Sequence, residues 1–555
     1  MNTPTILKKA LSLANEMKML GYLTNQLFRV IKENRFMSVL GSRINDAPVL
    51  FSSQSRMKVA VSDDPYASGI SMQNNPLYGI MNPGSICVMG ASNRLHSMGT
   101  TALLNILGSG FEGPVWVVHP KDRSVQDVKT FRHIESLPEA PDLVVLVIPT
   151  VLVPEVLEEA GRKGTRHAVV ITAGYNEIGA EGKALQKRID EVVERYGIRY
   201  IGPNCLGFVN ARRRINTTTI PYDGRCGGIG FASHSGSYVC QALPYAEGMD
   251  LGVGEFISLG NEGNVDVVDA LEYFRANEDI KVVGLYLESI RRPRLFRDAA
   301  RRLSREKPVV ALYSGSTPEG SRAAASHTAA VAGSGRIMEG FLRQCGIVQA
   351  ETSTELFEWL NAFERMPLPR GPRVAILTNS GGPGASMADQ VGKSELTLAR
   401  FSRELREKIG SVLPPTGSAG NPIDLSFSSD MSVYGEKLPR MLAEASDVDA
   451  ILVYGLGIYA TDLWKRIGVR AKGELPTEMV QALKSMLEAQ ADTMSGALKA
   501  GGKPVLAANL DASMDKGVRR MMMKGNIPVY NGPEQAVKAL AAMWRYKKMR
   551  DNMTI

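Results

Sequence analysis

Ser85-Ile86-Cys87-Val88-Met89-Gly90-Ala91-Ser92-Asn93-Arg94 reads as an apolar strand running into a turn of small residues. Its apolar residues do not alternate with polar ones, so both faces of the strand are expected to be covered. That is the mark of a parallel sheet with helices on either side. A helical pattern follows to about Ser109, and the same alternation then repeats. Val115–Val118, Leu143–Ile148, Ala168–Thr172 and Tyr200–Ile201 predict four more strands, with helices such as Val153–Lys163 and Gly182–Tyr196 between them. Alternating strands and helices predict an α/β, doubly wound unit, here over residues 76–222.

The pattern recurs twice downstream. A second α/β unit, residues 223–368, has expected strands at Ile229–Ala232, Val253–Ile257, Val282–Leu287 and Val309–Leu312 and a Pro-rich exit at Pro367, Pro369 and Pro372. A third, residues 369–550, opens at Arg373–Leu377, continues through Ala450–Tyr454 and Pro504–Ala508, and closes with a helix over Glu534–Lys548. Residues 457–500 read as a polar, helical insertion. Upstream, residues 1–75 are an expected extension and linker. Met1 to about Arg35 is amphipathic, suited to a docking helix or a plain extension, and residues 36–79 are polar and weakly patterned, with order expected near Pro83.

Composition narrows the classes of function. Hydrophobic residues at 44% and charged residues at 22% are ordinary for a globular protein. The net charge of +8 over 555 residues suits an anionic small molecule. There is no dense basic block with interleaved aromatics, so nucleic acid is not the expected partner. The five cysteines are scattered without a Cys-x-x-Cys pair. A reducing, cytoplasmic setting is therefore expected, with no metal site. No apolar run reaches membrane-spanning length.

Several turns carry chemistry. At Gly90-Ala91-Ser92-Asn93-Arg94, small residues let backbone N–H groups approach a phosphate at a helix N-terminus. The second strand ends in His119-Pro120-Lys121 without the acid that a nicotinamide dinucleotide needs for its ribose, while Lys121 and Arg123 suit a phosphorylated ribose. Coenzyme A and NADP both have one, and solvated surface cations would look the same. Ile148-Pro149-Thr150, Thr172–Glu177 and Gly202-Pro203-Asn204-Cys205-Leu206-Gly207 follow later strands, at the edge where open parallel sheets bind ligands. Ser233-His234-Ser235-Gly236-Ser237 and Thr378-Asn379-Ser380-Gly381-Gly382-Pro383-Gly384 open helices in the second and third units and suit an anion. Each could also be a plain N-cap. His327 stands in Arg322-Ala-Ala-Ala-Ser-His-Thr-Ala-Ala-Val-Ala-Gly333. Among such small residues it suits a side chain that carries a group from one place to another. Glu288 ends an apolar strand and could accept the Nδ1 proton of His327, leaving the other ring nitrogen nucleophilic.

Together these residues resemble the nucleoside-diphosphate-forming acyl-CoA synthetases, the superfamily of succinyl-CoA synthetase and ADP-forming acetyl-CoA synthetase. The likeness is to the α subunit of the latter type, over about 76–545. It rests on Gly90-Ala-Ser92, Gly202–Gly207, Ser258-Leu-Gly-Asn261, Tyr286-Leu-Glu288, Ser326-His-Thr328, Thr378–Gly384 and Asn421-Pro-Ile-Asp424. The resemblance implies a Rossmann-like CoA-binding domain followed by two flavodoxin-like domains. It implies that His327 is a phosphorylated histidine, that Glu288 stabilises it, and that Ser233, Ser235, Gly236, Asn379, Ser380, Gly381 and Gly382 cradle the phosphate. Gly90, Ala91, Ser92, Arg94, Pro120, Lys121, Pro149, Thr172, Asn204 and Cys205 are then the expected coenzyme A contacts. Mg-ATP or ADP is expected to act through a separate ATP-grasp β-type subunit in a hetero-oligomer, because no ATP-grasp segment follows the third unit.

The chain departs from the family at His234, where Gln is usual, at Ala329, where Gly is usual, and at Tyr313-Ser314. These changes keep open a non-catalytic CoA-binding or regulatory protein, and Lys121 with Arg123 keeps open an NADP-dependent oxidoreductase. Keeping both His327 and Glu288 favours a working acid–thiol ligase.

Overall fold

The computed structural model describes residues 66, 71–320, 322, 335–426, 430, 432–455, 477–510 and 516–553. The expected amphipathic segment before Arg35, the start of the expected insertion at 457–476, and His327 with its neighbours all lie outside the described residues.

Three sheets follow one another along the chain. The first contains β1 (Ile86–Met89), β2 (Val115–Val118), β3 (Ser124–Val125), β4 (Val128–Phe131), β5 (Leu143–Leu146), β6 (His167–Val170) and β7 (Arg199–Ile201). Their order is β3-β4-β2-β1-β5-β6-β7, parallel except for the β3–β4 hairpin. All four residues of β1 are buried, as the unalternating sequence requires. The chain passes from β1 to β2 on one side and then returns to β5 on the other. The carboxyl ends of β1 and β5 therefore flank a switch point, where such sheets bind ligands.

The second sheet contains β8 (Phe208–Asn210), β9 (Ile215–Asn216), β10 (Cys226–Ser233), β11 (Val253–Ser258), β12 (Val282–Leu287), β13 (Val309–Tyr313) and β14 (Val348–Ala350), in the order β14-β13-β12-β10-β11-β8-β9. Its switch point lies between β10 and β12. The third contains β15 (Arg373–Thr378), β16 (Thr397–Leu398), β17 (Ile423–Asp424), β18 (Ala450–Tyr454), β19 (Val505–Ala508) and β20 (Val529–Tyr530). It runs β16-β15-β18-β19-β20, with β17 beside the end of β15, and its switch point lies between β15 and β18.

Two expectations need correction. Residues 71–79 are not a linker: Leu77 and its neighbours Ile80 and Met81 are fully buried, and Asn75 donates to the Asp269 carbonyl at 3.0 Å. The apolar signal there is too short to show a period. The division at 222 also fails to separate the sheets, because β8 pairs with β11 and β9 with β8, at the edge of the second sheet.

The second and third units share apolar contacts. The helix Pro533–Met553 buries Ala536, Val537, Leu540, Met543 and Tyr546 along one face. Tyr546 meets Phe363 of the helix Ser353–Arg365 edge-on at 5.6 Å and donates to the Ser304 carbonyl at 3.0 Å. Each large apolar side chain buried this way contributes about 1.5–3 kcal/mol.

Candidate active site

At the first switch point, Gly90 has a φ of +99°, and a Cβ there would stand 1.9 Å from the Val147 carbonyl oxygen. Only glycine brings the ends of β1 and β5 this close. Gly99 likewise lets the helix Met98–Gly108 approach the turn, since a Cβ there would lie 2.3 Å from the Gly90 oxygen. The Ser97 side chain caps that helix by accepting from the Thr100 N–H at 3.3 Å. Thr100 Oγ1 in turn donates to the Ser92 carbonyl at 2.8 Å, so the turn is held by the helix it opens.

Asn93, Arg94, Lys121, Arg123 and Pro149 are exposed around this edge, and no ion-pair partner for Arg94, Lys121 or Arg123 is found among the described residues. Thr150 Oγ1 donates to the Ala173 carbonyl at 2.7 Å and Thr172 Oγ1 to the Ile148 carbonyl at 2.7 Å, which ties the loops after β5 and β6 together. Leu95, Met98, Val151, Leu152 and Ile178 are exposed in the segments after β1, β5 and β6. Cations, a close-packed turn of small residues and apolar surface at one edge fit a ligand with phosphates and an apolar arm, as coenzyme A has.

One expected contact is corrected in part. The Cys205 side chain is buried and its thiol donates back to the Val170 carbonyl at 3.4 Å. Burial pushes the thiol up to about 12. Only the backbone of Cys205 is left to face a ligand. Its neighbour Asn204, at a φ of +58°, is half-buried.

The second switch point holds an unusual concentration of buried polar groups. Ser233 Oγ donates to the Ser235 carbonyl at 2.8 Å and accepts from the Ser235 N–H at 3.1 Å. Ser235 then caps the helix Gly236–Gly248 by accepting from the Tyr238 N–H. Glu288, 5% exposed, follows β12 across the switch point. His234, which sequence reasoning treated only as a departure, sits between them. Its Nδ1 accepts from the Glu288 N–H at 3.2 Å, and its Nε2 lies 3.2 Å from Glu262.

The first two sites meet at the loop after β11. Asn261 Nδ2 donates to Glu177 at 2.5 Å, and Asn204 Nδ2 donates to Asn261 Oδ1 at 3.2 Å. Hydrogen bonds from the Gly174 N–H and Asn261 outweigh burial and hold the Glu177 carboxyl below its usual range. A Cβ on Gly260 would stand 2.3 Å from the Pro203 oxygen, and one on Gly236 would stand 2.9 Å from Leu206 Cγ. The Gly202–Gly207 turn of the first site therefore packs directly on the helix start of the second. The sequence marked Asn261 only as the end of the Ser258-Leu-Gly-Asn261 motif and gave no sign that it and Glu262 join the two clefts.

The third switch point repeats the second. Thr378 Oγ1 donates to the Ser380 carbonyl at 2.9 Å and accepts from the Ser380 N–H at 3.0 Å. Asn379 Nδ2 donates to the Gly455 carbonyl at 2.6 Å. Gly381 and Gly382 are exposed at the helix start, and a Cβ on Gly382 would meet open space. Asn421 supports the turn from below, accepting from the Ile376 N–H at 3.0 Å and donating to the Val374 carbonyl at 2.8 Å. A cavity of about 860 Å³, lined by Arg225, Arg365, Arg519 and Arg520 among others, includes none of these turns. Among the described residues no group of His, Cys, Asp and Glu could hold a metal ion, and no helix is long and apolar enough to cross a membrane.

Three family models match the chain in this order. The CoA binding domain covers residues 84–211, the succinyl-CoA ligase like flavodoxin domain 226–363, and the Ligase-CoA domain 374–481. The α subunit of ADP-forming acetate–CoA ligase II from Pyrococcus furiosus is 34% identical over 468 residues, covering 84% of this chain and 97% of that one. The chain belongs to the NDP-forming acyl-CoA synthetases. It is a CoA-binding member of this class of acid–thiol ligases. The ADP-forming acetate–CoA ligase of Methanocaldococcus jannaschii is 33% identical over 471 residues, and this chain spans 63% of its length. Among solved structures, the dinucleotide-forming acetyl-coenzyme A synthetase 1 of Candidatus Korarchaeum cryptofilum, in complex with phosphate and ADP, superposes with a TM-score of 0.76 at 30% identity, covering 86% of this chain and 98% of that one. The choice between CoA and NADP that Lys121 and Arg123 left open thus falls to CoA.

Proposed function

We propose that this chain is the phosphohistidine-bearing subunit of an NDP-forming acyl-CoA synthetase, paired with a separate ATP-grasp subunit. The pair interconverts carboxylic acid, CoA and ATP with acyl-CoA, ADP and phosphate. The observation that carries the reading is Glu288, a carboxylate buried at the second switch point beside the Ser233–Gly236 anion turn.

Each residue then has a defined task. The Gly90–Ser92 turn, Arg94, Pro120, Lys121, Pro149, Thr172 and Asn204 hold the substrate CoA. Phosphate attacks the thioester carbonyl, the C–S bond breaks, and the CoA thiol leaves an acyl phosphate. His327 attacks phosphorus through one ring nitrogen and releases the carboxylate, while Glu288 accepts the proton of the other nitrogen and steadies the imidazolium. The N–H groups of Gly236, Gly381 and Gly382 at the two helix starts, with the Ser235 and Ser380 hydroxyls and Asn379, stabilise the phosphoryl oxygens. The phosphoryl group then passes from His327 to ADP, with Mg²⁺, on the partner subunit. The α-subunit name of the Pyrococcus relative and the phosphate and ADP in the Korarchaeum structure support this division of labour.

Incubation of the chain with an ATP-grasp partner, Mg²⁺ and γ-labelled ATP is expected to put an acid-labile, base-stable label on His327. His327→Ala should abolish label and turnover and leave CoA affinity intact. A label that survives His327→Ala overturns the assignment. CoA binding with no phosphoenzyme would mark a CoA-dependent regulator instead.

A further inference from the structure

The second residue of each helix-opening turn in the two ligase units has the same work. In the third sheet Asn379 reaches across the switch point to the Gly455 carbonyl. In the second sheet His234 reaches across to the Glu288 N–H, while its own N–H donates to the Tyr286 carbonyl at 3.2 Å. The flanking hydroxyls bond in the same pattern in both turns. The position is a clamp on the neighbouring strand's end, occupied by an amide in one unit and an imidazole in the other.

We propose that His234 is a positioning residue for phosphoryl transfer, its imidazole fixing the backbone of Glu288 at the floor of the second cleft. The inference rests on the reading of Glu288 as the partner of His327. The Glu262 carboxylate lies 3.2 Å from Nε2 on the far side of the ring and accepts the Val267 N–H at 2.8 Å, which anchors it to the start of the helix Val267–Ala276. In the geometry observed, Nδ1 is an acceptor, so the ring is neutral with its proton on Nε2 facing Glu262. A second proton would sit on Nδ1, against the Glu288 N–H, and release the clamp.

The charged groups around the ring set when that happens. Glu262 and Asp266 face it from the loop and helix after β11, and Glu288 faces it from the end of β12. Arg292 pairs with Asp266, and Arg291 donates to the Glu262 carbonyl. Burial opposes the imidazolium, but Glu262 first, then Glu288 and Asp266, outweigh it and raise the His234 pKa above the ordinary histidine value. Release of the clamp therefore begins at a higher pH than for a free imidazole.

The test uses the full chain with its ATP-grasp partner and reads the rate of His327 labelling against pH, with CoA affinity as control. His234→Gln offers an amide oxygen to the Glu288 N–H and an amide N–H to Glu262, but does not titrate. It should keep labelling within several-fold of wild type near pH 8 and move the acid limb to lower pH, leaving only the limb that protonation of His327 itself imposes. His234→Ala should label about tenfold to a hundredfold more slowly, the scale of a small misplacement of a reacting group, with CoA affinity unchanged. His234→Ala labelling at the wild-type rate, or His234→Gln keeping the wild-type acid limb, overturns the proposal. If His234→Ala fails to fold in a thermal melt, the His234→Gln profile decides alone. An unlabelled wild-type chain would overturn the reading of His327 itself, and the clamp with it, and is told apart by the wild-type arm.

Discussion

Glu288 and Glu255 are both buried carboxylates near the carboxyl half of the second sheet, yet they make different demands. Glu288 ends its strand at a cleft and is read as reactive. Replacing it with Gln keeps the volume and removes the charge that receives the His327 proton. Phosphoenzyme formation should slow by about 10²-fold or more, with CoA affinity unchanged, as measured by rapid-quench labelling. Glu255 lies within β11 and accepts from Tyr273 at 3.0 Å and from Asn210 and Asn277 at 3.2 Å. Burial pushes its carboxyl up from 4.5 to about 7. A raised carboxyl binds more protons in the folded state, so its contribution is fully present below 4.5 and is lost as pH rises toward 7. That loss is about 3 kcal/mol at most. Urea unfolding between pH 5 and 8 should show it, and Glu255→Gln should flatten that part of the curve.

Among the elements, the loop after β11 joins the two clefts. Asn261 holds Asn204 and Glu177 on the first, and the next residue, Glu262, holds His234 on the second. Asn261→Ala removes two hydrogen bonds, one to a carboxylate, worth about 1–3 kcal/mol each. The KM for CoA should rise several-fold while His327 labelling from ATP changes little, and an unchanged KM would remove Asn204 from the CoA site. The turn after β1 is less tolerant still. Gly90→Ala adds both a strained φ and a 1.9 Å clash with the Val147 oxygen. It should destabilise the chain by more than about 1 kcal/mol and weaken CoA binding, both readable by calorimetry.

Across the whole molecule, Arg365 joins the second and third units. Its guanidinium donates to Asp250 Oδ2 at 2.8 Å, to the Met523 carbonyl at 2.8 Å and to Asn361 Oδ1 at 2.8 Å. Asp250 belongs to the second unit and Met523 to the third, so the two cannot separate without stripping a buried cation of its partners. Arg365→Met should lower stability by about 2–4 kcal/mol, since it strands buried carbonyls and one half-exposed carboxylate. A melt that loses its single transition would show the two units uncoupled, and an unchanged melting temperature would show that the apolar contacts of Tyr546 and Phe363 suffice.

The alternation of apolar strands and helices was enough to determine three parallel sheets, because a strand covered on both faces has no other way to hide its side chains. Val115–Val118, Val282–Leu287 and Ala450–Tyr454 were legible to the residue, as were the small-residue turns that end β1, β10 and β15. The short strands β8, β9, β16, β17 and β20 were not, because two or three residues carry no period. Nor could local pattern show that residues 75–81 pack into the core, that the Cys205 thiol bonds back to its own sheet, or that His234 grips the backbone of Glu288. Those facts depend on groups far apart in the chain meeting in the fold, 35 residues for Cys205 and Val170 and 54 for His234 and Glu288. Chain order fixes the period and the turns. Only the crossing of the strands decides which turns share a floor.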